Sequence, residues 1–267
     1  MSLPESVDGG TAPGSGLRRL DSAAEVRSFD PSDPFLRWEI PASFAGPAYA
    51  LGAALLVART TQTRGPGMAV IGAPGDAAEL LDVVITTGRL AEFAPVNLAS
   101  DESCFPVVAD RFELGPGGDW HWMWTESAPA EPADDRVLEL GDADHLELTA
   151  LLAAHNPGTD GKPGRLPGQT WLGVRDPDGA LIACGVAESN IAGYPLLSGI
   201  TVHADHRGRG LGRTVTAALT RLAVAKHGVC TLGVYAGNGA AIRLYESLGF
   251  RIGRRWRSRR LLGSAAP

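Results

Sequence analysis

The sequence predicts an α/β (α+β) protein: a mixed, mostly antiparallel sheet flanked by helices, in two parts. Three observations carry this. Apolar residues in the C-terminal half switch between period 2 and period 3.6, giving hairpin strands and then a strand–helix–strand–helix run. Residues 127–134 are built of Ser, Ala, Pro and acids, as a linker is. The segment from Ile200 to Arg213 reads as a β-branched strand, an Arg/Gly-rich turn and the first turn of a helix.

Taken in order, residues 1–27 read as a disordered Gly/Pro/Ser-rich tail; the start has no apolar h-region of a signal peptide. Residues 28–126 form an N-terminal α/β domain, with strands from Tyr49 to Arg59 and Met68 to Gly72 and an amphipathic helix from Asp76 to Leu90. Trp120, Trp122 and Trp124 alternate along one strand face, as packing residues or as a pocket wall, and packing is the preferred reading. Residues 135–267 form the second domain. Arg136–Leu140 is a short strand, and Asp142 or Asp144 can cap a helix to about His155. Asp176-Pro-Asp-Gly179 is a hairpin turn between two strands, Trp171–Arg175 and Ala180–Glu188. Leu211, Val215, Leu219 and Leu222 mark a helix, Cys230–Ala236 a strand, and Asn238–Leu248 a second helix stopped by Gly249. The Arg-rich stretch from Arg251 to Arg260 reads as a last strand whose arginines protect a sheet edge.

Composition removes several function classes. The net charge of −6 over 267 residues argues against general nucleic-acid binding. No apolar run reaches the ~18 residues of a membrane span. Cys104, Cys184 and Cys230 are odd in number and widely spaced, so neither a disulfide framework nor a metal site is expected, and a reduced cytoplasmic setting fits. Charge is uneven, however. From His206 to Tyr245 there is no Asp or Glu, while Arg207, Arg209, Arg213, Arg221, Lys226 and Arg243 fall inside. An acid-free stretch around a glycine turn points to an anionic ligand, since helix-start amides and the macrodipole favour negative charge.

Two common nucleotide readings of that turn fail. A dinucleotide fingerprint needs G-x-G-x-x-G and an acid ~20 residues on, which the acid-free stretch does not supply. A Walker loop needs Ser or Thr after the lysine, and Lys162 is followed by proline. What matches is Arg207-x-x-Gly210-x-Gly212, followed by Asn238-Gly-Ala-Ala241-Ile-Arg-Leu244-Tyr245-Glu-Ser-Leu-Gly249-Phe250. Together these closely resemble the two signature motifs of the GNAT superfamily of acyl-CoA-dependent N-acyltransferases, over roughly residues 135–260.

The resemblance implies transfer of an acetyl group from acetyl-CoA, without a metal, to a primary amine of a small-molecule or peptide acceptor. It implies that Arg207, Gly208, Arg209, Gly210, Leu211, Gly212 and Arg213 hold the pyrophosphate. Ile200, Thr201 and Val202 would carry the pantetheine arm and thioester, and Asn238 and Ala241 would contact the coenzyme. Tyr245 would protonate the departing thiolate, although it also lies on a core face with Ala241, Leu244 and Leu248. Where some family members carry a strand glutamate, this chain has Leu196. Glu188 or His203 is then the candidate base, against water-mediated deprotonation. His155, Asn156 and Asp160 fall in the variable acceptor segment. The N-terminal domain is read as a degenerate copy of the same fold, without the cradle. A non-catalytic acyl-CoA sensor is the alternative function, and monomer and homodimer both stay open.

Overall fold

The computed structural model of the chain describes residues 16–61, 65–130 and 132–264. The N-terminal half runs β1 (Arg18–Arg19), α1 (Ala23–Phe29), α2 (Pro34–Glu39), β2 (Ala48–Leu51), β3 (Ala54–Thr61), β4 (Gly65–Gly72), α3 (Pro74–Thr86), β5 (Asn97–Asp101), α4 (Phe105–Ala109) and β6 (Phe112–Thr125). The C-terminal half runs β7 (Val137–Leu140), α5 (His145–His155), β8 (Thr170–Arg175), β9 (Leu181–Ser189), β10 (Pro195–Val202), α6 (Leu211–His227), β11 (Cys230–Tyr235), α7 (Gly239–Ser247) and β12 (Arg251–Ser264). Local chemistry sets many of these limits. Ser22 caps α1 by accepting from the Glu25 amide at 3.2 Å, and Asp33 caps α2 by accepting from the Phe35 amide at 2.8 Å. The Asp176 carboxylate accepts from the amides of Asp178 and Ala180 and closes the β8–β9 hairpin.

Two expectations for the N-terminal half need correction. The tail expected over 1–27 is ordered in its described part: Arg18 and Arg19 pair with Ala50 and Tyr49, and Ala23 and Val26 of α1 are buried. Residues 1–15 lie outside the described residues. The single strand expected from Tyr49 to Arg59 is a hairpin, because Gly52 takes a φ of +54° and turns β2 back onto β3.

The described residues form one twelve-stranded sheet in the order β1-β2-β3-β4-β5-β12-β6-β11-β10-β9-β8-β7. Strand n of the first half occupies the place of strand n+6 of the second. Pairing sense also repeats: β4–β5 and β10–β11 are parallel across a helix, and the remaining pairs are antiparallel. The equivalent strands β6 and β12 meet antiparallel at the centre. That arrangement requires a pseudo-twofold axis normal to the sheet. Each half therefore gives its last strand to the other's side: β6 pairs with β11, and β12 pairs with β5. The expected cut between 28–126 and 135–267 does not divide the sheet, because the last strands cross it.

The Arg-rich last strand is thus central, which corrects its assignment to an edge. Its arginines meet acids of the N-terminal half. Arg254 pairs with Asp33 and, at 2.8 Å, with Asp101; Arg257 pairs with Glu102 at 3.1 Å, and Arg259 with Asp119 at 2.9 Å. Burial pushes the Asp101 carboxyl upward, partly offset by Arg254. The tryptophan stripe packs at the same seam: Trp122 and Trp256 are buried against Phe35, with ring centroids 5.4 and 4.9 Å away. Helices α6 and α7 cover one face of the C-terminal half and α5 the other. Among the described residues no helix is long and apolar enough to cross a membrane.

Asp33 serves both the α2 cap and the buried Arg254. Asp33→Ala is expected to lower unfolding stability by about 3 kcal/mol, from a lost cap and a poorly compensated buried arginine. Asp33→Asn, which keeps a capping oxygen, is expected to lose less. Urea denaturation of the two variants checks the ranking.

Candidate active site

Strand β10 holds the centre of the C-terminal half, and its pairing is short. It joins β11 in parallel only at Leu196–Thr231 and Leu197–Leu232, whereas the equivalent strands β4 and β5 pair over four positions, Gly67 to Val70. The cause lies in a bulge. Gly199 takes a φ of +64°, and the register to β9 shifts between Ser198 and Thr201. From Ser198 to Val202 the edge of β10 that faces β11 is left without a strand partner among the described residues. An open edge of this kind can pair with an extended ligand. Ile200 and Val202 turn toward α6, while buried Thr201 donates to the Gly199 carbonyl at 3.0 Å and accepts from Asn156 at 3.1 Å.

The cradle follows directly. Beyond Val202 the chain makes a short 3-10 turn, Ala204–His206, and then the Arg207–Gly210 loop. Gly208 and Gly210 have φ of +76° and +79°, with open space where a β-carbon would stand. Gly210 starts α6 without any side-chain cap, so the first turn presents amides rather than a capping oxygen. Arg207 braces this loop, donating from Nε to the Val202 carbonyl at 3.2 Å and from Nη2 to the His155 carbonyl at 3.3 Å. Arg209 is exposed, and buried Leu211 anchors the turn. Gly212 lies beside Val202 and Leu244, where a β-carbon would make ordinary van der Waals contacts. The Arg213 side chain bonds Ser247 and so ties α6 to α7. Open glycines, uncapped amides and basic side chains fit a pyrophosphate.

Helix α7 supplies the remaining motif residues. Asn238 caps it, accepting from the Ala241 amide at 3.1 Å. Ala241 is half-buried, and Tyr245 is buried in one cluster with Leu197, Leu211, Val234 and Leu248. Burial pushes the Tyr245 phenol up to about 12.

Residues 172–261 match the family model described as FR47-like protein. The match lies wholly within the C-terminal half and is to a GNAT-related family model. A mycothiol acetyltransferase from Tsukamurella paurometabola is 33% identical over 119 residues, 43% of this chain and 36% of that protein, so this chain spans about a third of its relative's length. Two solved structures share the fold across nearly the whole chain. A GNAT-family acetyltransferase from Novosphingobium aromaticivorans has a TM-score of 0.51 at 24% identity, covering 92% of this chain and 98% of its own. One from Colwellia psychrerythraea has a TM-score of 0.53 at 13% identity, with the same two coverages.

The two topologically equivalent halves differ at their helix starts. In the N-terminal copy the turn from β4 to α3 is Ala73-Pro74, and Pro74 removes an amide from the helix start. The Asp76 carboxylate stands in the first turn and accepts from the Ala53 amide at 2.6 Å. A second anion would meet that carboxylate. The first half repeats the strand order of the second without the cradle.

The segment from Asn156 to Gln169 lies over the β9–β10 face of the C-terminal half. Gly161 approaches so closely that a β-carbon there would stand 2.7 Å from the Ser198 hydroxyl. Glu188 lies beneath, with its carboxylate fully committed. Oε1 accepts from Ser198 at 2.9 Å and faces Arg165 at 3.4 Å, and Oε2 accepts from Gln169 at 2.9 Å. Its side chain is 1% exposed. The base role expected for Glu188 is not supported by this geometry; the residue anchors the loop to the sheet. Arg165, Gln169 and Ser198 carried no sequence signal, since their meeting is a tertiary event. His203 accepts from the Asp205 amide through Nδ1 and packs against His155, with ring centroids 4.3 Å apart. Asp160 is exposed in the same loop.

Because Asn238 is the α7 cap, Asn238→Ala is expected to cost about 1 kcal/mol in unfolding free energy, whereas Asn238→Asp costs a few tenths. Chemical denaturation in the absence of ligand checks this.

Proposed function

We propose that the protein is an acyl-CoA-dependent N-acyltransferase that moves an acetyl group from acetyl-CoA to a primary amine of a small-molecule or peptide acceptor. One conjunction supports this most. The left-handed glycine cradle follows the strand whose pairing with β11 stops at Leu197, and Tyr245 packs in the cluster that contains Leu197. The relative named a mycothiol acetyltransferase supports acetyl as the group transferred.

Each residue has a defined task in this reading. Amides of residues 207–212 hold the pyrophosphate, and the open edge from Ser198 to Val202 takes the pantetheine arm as an added strand. An amide at the Gly199 bulge polarises the thioester carbonyl. The neutral amine attacks that carbon, the carbon–sulfur bond breaks, and Tyr245 gives its proton to the sulfur. Against an ordinary thiol near ~8.5, a phenol at about 12 is uphill by roughly 5 kcal/mol. Burial changes both partners, however. The Cys184 thiol, on neighbouring β9, is also pushed up to about 12 by burial alone. A thiolate desolvated to the same extent matches Tyr245 as an acid. With Glu188 held by three donors, the amine loses its proton to water, and Glu188 positions the acceptor loop.

The committed state of Glu188 also favours the second reading, a sensor that binds acyl-CoA without transfer. Binding of acetyl-CoA with no thiol release across a broad amine panel would establish that reading instead.

Acetyl-CoA at about 100 times its dissociation constant is expected to stabilise the chain by about 2.7 kcal/mol. Replacing Gly208 and Gly210 together by valine is expected to abolish the thermal shift. Tyr245→Phe preserves the packing and removes the proton; kcat should fall by about 10² with the KM for acetyl-CoA nearly constant. With the phenol raised to about 12, Tyr245 stays protonated and active below that pH and loses its proton only as pH rises through it. The kcat profile of the wild type should therefore show no falling limb between pH 8 and about 11 from loss of this acid.

A further inference from the structure

The face of the sheet that carries the acceptor loop continues across the seam into the N-terminal half, and there it holds an unusual arginine. Arg59 extends from β3 on the side of Phe35, Trp120 and Trp256, whose ring centroids lie 5.2, 5.3 and 5.8 Å from its guanidinium carbon. Its side chain is 18% exposed. The nearest carboxylate oxygen among the described residues is Oε2 of Glu39, 3.8 Å from Nη2 and longer than a hydrogen bond. Glu39 is engaged elsewhere, accepting from Trp122 at 2.9 Å and from Asn190 at 3.0 Å through Oε1. Ring faces therefore hold the guanidinium, and they offer no oxygen fork to its five N–H donors. Such a largely buried guanidinium keeps only part of its hydration, and a bound anion would supply the missing acceptors.

The position connects to the reaction gap. The Trp120 ring lies 3.5 Å from where a β-carbon of Gly233 would stand, and Gly233 directly follows Leu232, the last β11 residue paired with β10. Gly233 is exposed and has no side chain, and Tyr235 on the same strand face is 57% exposed. Gly233, Tyr235 and Trp120 thus adjoin one another on this face, between the β10–β11 gap and Arg59. At the other end, Glu188 is already neutralised by Arg165.

We propose that Arg59, supplied by the N-terminal half, binds a carboxylate of the acyl acceptor, and that the acceptor is an amine bearing a carboxylate about an indole's width away. This rests on the acyltransferase reading above. A bidentate Arg–carboxylate pair would fix one end of the acceptor and leave its amine at the β10–β11 gap. The spacing suits an ω-amino acid or short peptide better than an α-amino acid.

The test uses the full chain with acetyl-CoA, reading thiol release from matched probes: 6-aminohexanoate and 6-aminohexanamide, glycylglycine and its amide. The expected result is at least a tenfold preference in kcat/KM for the acid of each pair. Arg59→Gln should erase that preference through KM for the acid, and Arg59→Lys should restore part of it. Equal use of acid and amide by the wild type, or a preference that survives Arg59→Gln, overturns the proposal. A second readout needs no turnover: N-acetyl-6-aminohexanoate titrated into the chain with CoA should change tryptophan fluorescence. Half-saturation should rise at least tenfold in Arg59→Gln, and an unchanged value overturns the assignment. Thermal stabilisation by acetyl-CoA, retained in the variant, reports an intact GNAT half. Its absence in the wild type would overturn the coenzyme reading instead, which separates the two failures.

Discussion

The pairing of β6 with β12 is the constraint on which the rest depends. Strand β11 needs a neighbour on the side away from β10, and the chain fills that place with β6, more than a hundred residues earlier. Strand β5 needs the same, and β12 fills it. Unpaired backbone along two buried edges would cost more than any side-chain contact at this seam could return. The exchange makes the halves one folding unit. It also places Trp122 and Trp256 together against Phe35, and brings Arg254 to Asp33 and Asp101.

A nearly symmetric frame carries an asymmetric function. Both halves have a parallel strand pair bridged by a helix, the arrangement that aims a helix start at a ligand. Only the second keeps the start open. The glycines at 208 and 210 expose amides there, while Pro74 and Asp76 close the equivalent turn in the first half. Pairing follows the same division, with the second-half strands parting at Gly199 and the first-half strands staying joined through Val70. With its helix start closed, the first half gives its surface to the seam. There α2 docks on the β9–β10 hairpin, with Trp38 edge-on to Tyr194 and Asn190 bonded to the Trp38 carbonyl.

Burial at the candidate site acts in the same sense on a phenol and a neighbouring thiol. It makes Tyr245 a weaker acid in isolation, yet it raises a thiol in the same setting comparably, as Cys184 illustrates. A proposed proton donor and leaving group at this site are therefore compared in their shared environment rather than by values in water. Glu188 is held differently, its carboxylate 1% exposed and engaged by Ser198, Gln169 and Arg165.

By itself the sequence determined what depends on near neighbours. The glycine cradle, the α7 cap at Asn238, the Asp176–Gly179 hairpin and the helical spacing from Leu211 to Leu222 were legible because each is decided within about four residues. The hairpin at Gly52 was local too, but an uninterrupted apolar run around one glycine hides a turn. Tertiary structure alone decided the strand exchange, the partners of the last-strand arginines, the occupants of Glu188 and the ring cage around Arg59. The physical reason is separation: Arg254 meets Asp33 across 221 positions and Asn190 meets Glu39 across 151, and no periodicity in the chain records such meetings. The glycine cradle is written in a dozen consecutive residues, whereas the proposed acceptor surface is assembled from both halves.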